Sequence, residues 1–151
     1  MNFVKDPKNR TLNEELESRA IEFHGHDGPF MTLGLRMGLI ALQMLDCKGW
    51  FDLSCEVKLK WNPPDSCVID GIQSSTGCTM GKKNISVVEQ DGVEACFTSK
   101  NKTICIKLKP EVIESIREKM TEEDIPHEII EELERADTTS IFEIKLKKGQ
   151  K

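Results

Sequence analysis

The clearest structural pattern in the sequence is Val93-Glu94-Ala95-Cys96-Phe97-Thr98-Ser99-Lys100-Asn101-Lys102-Thr103-Ile104-Cys105-Ile106-Lys107-Leu108. If Lys100-Asn101 forms the tip of a hairpin, the numbers of opposed residues sum to one constant value. That register pairs Phe97 with Ile104, Ala95 with Ile106 and Val93 with Leu108. On the other face it pairs Thr98 with Thr103, Cys96 with Cys105 and Glu94 with Lys107. One face is wholly apolar and the other is mostly polar, which predicts an antiparallel sheet with one face on a core.

The sequence around this hairpin predicts further strands and helices. Alternating residues predict strands over Leu53–Trp61, Ile85–Glu89 and Ile141–Leu146. Helical spacing or an initial proline predicts helices over Leu12–Phe23, Phe30–Leu45, Pro110–Met120 and Pro126–Ala136. The stretch Cys67–Ser75 fits a short helix capped by Asp65 or Ser66, with a buried strand as the alternative. Together these elements predict an α+β fold in one domain over 1–151, with an antiparallel or mixed sheet and helices on one face.

Two glycines interrupt the apolar stripe of the second predicted helix. Gly34 and Gly38 are four residues apart on one face, and each costs about 1 kcal/mol against alanine in a helix interior. Such a pair predicts close approach of another helix, either within the fold or across a dimer.

Composition excludes some classes of function. The net charge of −5 argues against a nucleic-acid binder, and the basic stretch Lys145–Lys151 is interpreted as a solvated end. Met1–Arg10 has no apolar signal region. The longest apolar stretch, Phe30–Leu45, includes Arg36 and is too short to span a bilayer, so we expect no membrane association and a cytoplasmic location.

The six cysteines contain no Cys-x-x-Cys pair, which argues against a zinc ribbon or a thioredoxin-like motif. In the cytosol they are expected to be reduced thiols. Cys96 and Cys105 face each other across the hairpin, so a disulfide is the alternative there.

A His-x-His loop is the strongest chemical signal in the chain. It reads Phe23-His24-Gly25-His26-Asp27-Gly28-Pro29-Phe30. Residues two apart in an extended segment point the same way, so both imidazoles can face one point. Imidazole is the commonest metal ligand, and Asp27 is a candidate fourth ligand or an orienting partner for a histidine.

A second special stretch runs from Ser75 to Asn84, with Cys78 between two glycines and two lysines close behind. Nearby ammonium groups favour a thiolate. Two imidazoles and a thiolate would make an open tetrahedral site suited to zinc, so His24, His26 and Cys78 are the candidate ligands. The alternative is structural, with the histidines at a helix end and Cys78 as a small loop residue.

Together, Phe23-His24-Gly25-His26-x-Gly28-Pro29-Phe30-x-x-Leu33-Gly34-x-Arg36-Met37-Gly38 and Asp70-Gly71-Ile72-Gln73-x-x-Thr76-Gly77-Cys78-Thr79-x-Gly81-Lys82-x-Asn84 resemble the FmdE family, named after the E component of formylmethanofuran dehydrogenase. The resemblance covers roughly residues 12–110. It implies an α+β core, homodimers and a divalent metal, zinc in our expectation, at positions matching His24, His26 and Cys78. It also implies that Asp70, Gln73 and Thr76 lie near the same cavity, and Lys82 matches the family's lysine.

Many members of that family carry a C-terminal zinc ribbon, and this chain has no cysteine after Cys105. Docking on formylmethanofuran dehydrogenase subunits through such a ribbon is therefore in doubt.

Three functions follow as hypotheses. The first is a metal-binding protein accessory or related to a molybdenum or tungsten formylmethanofuran dehydrogenase, with a small-molecule ligand at the metal. The second is a stand-alone enzyme using the metal or Cys78 on an unknown small molecule. The third is an adaptor dimer braced by metal.

Overall fold

The computed structural model describes Val4 and residues 11–120 and 125–149. Apart from Val4, the segment Met1–Arg10 lies outside the described residues, and so do residues 150–151 of the basic end. The helices are α1 (Glu14–His24), α2 (Pro29–Met44), α3 (Cys67–Thr76), α4 (Pro110–Lys119), α5 (His127–Arg135) and α6 (Thr138–Ile141). The strands are β1 (Ser54–Leu59), β2 (Ile85–Glu89), β3 (Val93–Ser99), β4 (Lys102–Leu108) and β5 (Phe142–Lys148).

The five strands form one mixed sheet in the order β2-β1-β3-β4-β5. The hairpin register is confirmed, because β3 and β4 pair antiparallel with Phe97 opposite Ile104 and Cys96 opposite Cys105. Strand β5 pairs antiparallel with β4, whereas β2 runs parallel to β1. A parallel pair needs a crossover connection, and α3 lies in the one between β1 and β2. The prediction of an α+β fold is therefore confirmed.

Helices cover one face of the sheet, as predicted. The apolar side chains of that face are fully or nearly fully buried against helical residues such as Leu33, Met37 and Ile72. The opposite face carries polar pairs, including Lys58 and Glu94, whose Nζ and Oε1 atoms are 3.6 Å apart. This division of the two faces follows from the period-two alternation of the strands.

The two glycines of α2 mark a contact within the fold. A Cβ on Gly34 would lie 2.1 Å from the carbonyl oxygen of Val68 on α3, and one on Gly38 would lie 1.9 Å from Ser75 Oγ. From the other side, a Cβ on Gly71 would lie 2.1 Å from the carbonyl oxygen of Met31. The stretch Cys67–Thr76 is a helix, as the first interpretation predicted, and it packs backbone to backbone against α2.

Arg36 of α2 makes hydrogen bonds to the end of α5. Its Nη1 donates to the carbonyl oxygens of Leu133 and Ala136, at 2.8 and 2.6 Å, and its Nη2 donates to Thr138 Oγ1. The last carbonyls of a helix have no partner within the helix. Arg36 therefore caps α5, and partial burial lowers the pKa of its guanidinium.

Two local expectations need correction. Neither Asp65 nor Ser66 caps α3 with its side chain, since Ser66 makes no capping hydrogen bond and Asp65 instead accepts from Arg117 Nη2 at 2.8 Å. Cys96 and Cys105 are joined as a disulfide rather than held as separate thiols. Their direct opposition in the hairpin brings the two Cα atoms to 4.1 Å, which puts the sulfur atoms within bonding reach. The other four cysteines remain thiols, namely Cys47, Cys55, Cys67 and Cys78.

Within the described ranges, none of the helices combines the length and apolar character needed to cross a bilayer.

Candidate metal centre

His24 is the last residue of α1, and the chain turns away directly after it. Gly25 ends the helix with a φ of 103°, a left-handed conformation that glycine adopts without a Cβ penalty. The His24 side chain is only 9% exposed, and its Nδ1 lies 2.5 Å from Asp70 Oδ2 in the first turn of α3. Its Nε2 is buried and has no hydrogen-bond partner among the described residues. An imidazole held by a carboxylate on one nitrogen and left unpaired on the other is arranged as metal-ligating histidines are.

His26 lies beside His24 on the solvent side. The two ring centroids are 4.4 Å apart, with the rings tilted by 50°. The Nδ1 atom of His26 lies 2.5 Å from the backbone carbonyl oxygen of Asp27. Because a carbonyl oxygen only accepts, the neutral imidazole carries its proton on Nδ1 and its lone pair on Nε2. The two imidazoles therefore lie together, as predicted, but the left-handed turn at Gly25 brings them together and the segment is not extended.

Asp27 makes a different contact from the one its sequence position suggested. Its carboxylate lies 3.6 Å from Nε2 of His127, an exposed residue at the start of α5. Only its backbone carbonyl contacts His26. The carboxylate that orients a histidine here is that of Asp70.

Cys78 follows the glycine that ends α3 and is completely buried. Its Sγ donates to the carbonyl oxygen of Leu53 at 3.6 Å, and its backbone N–H donates to Thr76 Oγ1 at 3.1 Å. The sulfur thus points toward the segment that leads into β1.

Burial raises the pKa of the Cys78 thiol above its ordinary value. Cys47 and Asp52 raise that pKa further, whereas the neighbouring Thr76 side chain and the positive charge of Lys82 lower it. Burial outweighs the lysine that the sequence suggested would favour a thiolate, so at neutral pH Cys78 is a protonated thiol.

The three remaining candidate residues flank these groups. Thr76 Oγ1 donates to the carbonyl oxygen of Ile72 at 2.6 Å and is buried. Lys82 Nζ donates to Thr79 Oγ1 at 3.0 Å and lies 5.8 Å from the centre of the Phe51 ring. Gln73 lies on the wall of a cleft between α1 and α3.

Asn84 holds the loop that carries Cys78 in place through hydrogen bonds, a role that the sequence did not reveal. Its Oδ1 accepts from the backbone N–H of Thr79 at 2.9 Å, and its Nδ2 donates to the carbonyl oxygens of Trp50 and Leu53. The only signal in the sequence was its place at the end of the second motif.

The structure brings together His24, His26 and Asp70, and separately places Cys78 with Thr76 and Lys82. Across residues 11–120 and 125–149, no group of three or more His, Cys, Asp or Glu side chains is arranged to hold a metal ion. His24, His26 and Cys78 are therefore not preassembled as one three-ligand site. Metal binding by the histidine pair and metal binding by the Cys78 thiol are therefore two separate predictions.

Comparison with known proteins identifies relatives of this chain. The model of a protein family described as "FmdE, Molybdenum formylmethanofuran dehydrogenase operon" matches residues 23–148. A relative from Archaeoglobus fulgidus, described as a "Probable S-adenosyl-L-methionine-binding protein", is 41% identical over 68 residues, which are 44% of this chain. The chain spans only 19% of that relative's length.

A solved structure with a similar fold comes from Syntrophus aciditrophicus. It is the crystal structure of an FmdE-like protein, related to tungsten formylmethanofuran dehydrogenase. The two folds superpose with a TM-score of 0.62, covering 91% of this chain and 72% of the other. At 21% sequence identity, this likeness establishes the fold alone.

Proposed function

The chain belongs to the FmdE family, and on that premise we propose that it is a metal-binding protein accessory or related to formylmethanofuran dehydrogenase. The proposed ion is divalent, with zinc as the best match to imidazole ligands. The observation that carries the proposal is the buried Nε2 of His24, which has no hydrogen-bond partner among the described residues while Asp70 holds Nδ1.

The donor set of the two histidines fits such an ion. Both Nδ1 atoms face oxygen acceptors, the carboxylate of Asp70 for His24 and the carbonyl of Asp27 for His26. In each neutral ring the Nε2 lone pair is then the one left to bind a metal. A bound divalent ion would supply a Lewis acid with an open coordination position for a small molecule.

Cys78 is the proposed third ligand, and two steps must precede its binding. The thiol has to lose its proton, which burial disfavours, and it has to leave the carbonyl oxygen of Leu53. The loop at Gly77–Thr79 would have to rearrange for the sulfur to join the imidazoles. The same burial argues against Cys78 as a nucleophile in a thiol-dependent enzyme, because the thiolate is the reactive form.

Zinc titration of purified, chelator-treated protein tests the proposal. We expect one zinc per chain, with strongly weakened binding in His24→Gln and His26→Gln and normal binding in Asp91→Asn, a control at an exposed residue between β2 and β3. Elemental analysis of protein prepared without added metal identifies the ion. Unchanged zinc affinity in both His24→Gln and His26→Gln would overturn the metal site.

The role of Cys78 is decided by a separate variant. Cys78→Ala is expected to weaken zinc binding while circular dichroism shows an intact fold. If Cys78→Ala binds zinc as the wild type does, the site consists of the two histidines and water, and the third ligand is rejected. Mixing with purified formylmethanofuran dehydrogenase in size-exclusion chromatography tests the accessory role, and separate elution would count against it.

S-adenosyl-L-methionine is a second candidate ligand, supported by the name of the Archaeoglobus fulgidus relative and its 41% identity over 68 residues. Equilibrium dialysis with labelled S-adenosyl-L-methionine tests this candidate. Absence of binding at millimolar ligand would remove it without affecting the metal site.

A further inference from the structure

A cleft of about 200 Å³ lies between α1 and α3. Its lining residues are Arg19, Phe23, Gln73, Ser74 and Thr79. Arg19 and Phe23 are one turn apart on the same side of α1. Gln73 is likewise one turn beyond Asp70 on α3, and Asp70 contacts His24. The cleft therefore runs along the same pair of helices as the His24–Asp70 contact, about one turn away from it.

Polar side chains at the edge of this cleft, Arg19, Gln73 and Thr79, can donate hydrogen bonds to a ligand. The guanidinium of Arg19 makes no ion pair, and the side-chain amide of Gln73 makes no hydrogen bond, with any other described residue. Thr79 Oγ1 accepts from the ammonium of Lys82 at 3.0 Å, which leaves the hydroxyl proton of Thr79 able to donate. Guanidinium, amide and hydroxyl donors around one space select an oxyanion, and guanidinium binds carboxylate or phosphate through two parallel hydrogen bonds.

The ring of Phe23 forms one side of the cleft. Phe23 is 60% exposed, so its ring is not part of the core that holds α1 in place. The buried residues of α1 are Leu16 and Ala20, which pack with Met31 and Leu35 of α2. An exposed ring beside a group of donors offers a flat apolar surface to the body of a ligand.

We propose that this cleft binds a small organic oxyanion, a carboxylate or phosphate attached to a flat apolar body. The oxyanion contacts Arg19, Gln73 and Thr79, and the body lies on Phe23. The far end of the ligand then reaches toward His24 and His26. The inference deepens the proposed function by naming the ligand class of the metal site, and it rests on that function for this last contact.

Isothermal titration with benzoate, phenyl phosphate and the neutral analogue benzamide tests the proposal. We expect the anions to bind and benzamide not to bind. Loss of a charged hydrogen-bond donor should weaken the anions about tenfold or more in Arg19→Gln. Arg135→Gln, which removes an exposed arginine at the end of α5, is the matched control and should bind like the wild type. The tighter of the two anions identifies the oxyanion.

Measuring each variant with and without bound zinc separates this inference from the metal site. Anion binding that is lost in Arg19→Gln supports the cleft even if zinc never binds to His24 and His26. The inference is overturned if benzamide binds as well as benzoate. It is also overturned if Arg19→Gln matches Arg135→Gln, or if neither anion binds in the presence or absence of zinc.

Discussion

Asp70 Oδ2 lies 2.5 Å from His24 Nδ1, and this contact joins the first turn of α3 to the last residue of α1. The two residues are 46 positions apart in the chain. The contact fixes the direction of the imidazole and leaves Nε2 as the nitrogen available to a ligand. The position of the proposed metal ligand thus depends on how two helices pack.

Replacing Asp70 by Asn should weaken zinc binding without unfolding the protein. The amide lacks the negative charge that orients the His24 imidazole. Loss of such an outer partner typically weakens metal binding about 10–100-fold, and we expect a loss of that order here. Competition with a chromophoric chelator measures the change. Asp91→Asn, at an exposed turn, is the control, and equal zinc affinities in the two variants would contradict an orienting role for Asp70.

Replacing Gly34 by Ala should destabilise the fold by about 1–3 kcal/mol, the range for overpacking a well-packed core. The added Cβ would lie 2.1 Å from the carbonyl oxygen of Val68, and backbone yields less readily than a side chain. Urea unfolding measures the free energy of unfolding. Gly81→Ala is the matched control, because a Cβ at Gly81 meets nothing within 4 Å. A Gly34→Ala variant as stable as Gly81→Ala would mean that α2 and α3 do not approach as described.

Thiol labelling should distinguish Cys67 from the other cysteines that are outside the disulfide. Cys67 is partly exposed, whereas Cys47, Cys55 and Cys78 are buried, and burial raises the pKa of Cys55 well above its ordinary value. Buried thiols react only after local opening, so Cys67 should be alkylated about tenfold faster or more. Mass spectrometry of iodoacetamide-treated protein reads out each site, with urea-unfolded protein as the control. Fast labelling of Cys78 in the folded protein would show that its loop opens readily.

The carboxyl of Glu17 predicts how the stability of the fold depends on pH. Burial raises the pKa of its carboxyl, and the charge of Glu134 and a hydrogen bond to it raise that pKa further. A raised folded-state pKa stabilises the protein below the ordinary value of 4.5, and that contribution is lost as pH rises through the folded-state pKa. At pH 7 Glu17→Gln should therefore increase stability, by about 0.5 kcal/mol after solvent screening.

The gain in Glu17→Gln should shrink at pH 4, where the wild-type carboxyl is largely protonated. Urea unfolding of the wild type and the variant at both pH values measures it, with Glu22→Gln, an exposed residue of the same helix, as the control. An equal gain at both pH values would exclude the charge of Glu17 as its cause.

The β3–β4 hairpin could be predicted because its information is local. Alternation over Val93–Leu108 sets both the faces and the register, and a slip of one residue would place apolar side chains in water. Gly34 and Gly38 predicted a close contact, but the sequence left open whether it was internal or between two copies of the chain. The partner is α3, a segment whose sequence fitted a buried strand as well as a helix.

The candidate site was less accessible to sequence reasoning. The structure confirms that His24 and His26 lie close together, but the turn at Gly25 produces this proximity, not the extended segment that the spacing suggested. The direction of the Cys78 sulfur depends on Leu53, 25 positions away, and no periodicity encodes that contact. The pKa of this thiol also depends on burial, which outweighs the nearby lysine that the sequence made visible.

The junction of α2 and α3 has a consequence for how this protein varies over evolutionary time. Gly34 and Gly71 face each other across it, and a methyl group on either one meets backbone of the opposite helix. Ordinarily an enlarged residue is tolerated when its neighbour shrinks, but no amino acid is smaller than glycine. Neither position has a compensating partner change, so we expect descendants of this sequence to keep both glycines while the exposed outer face of the sheet varies.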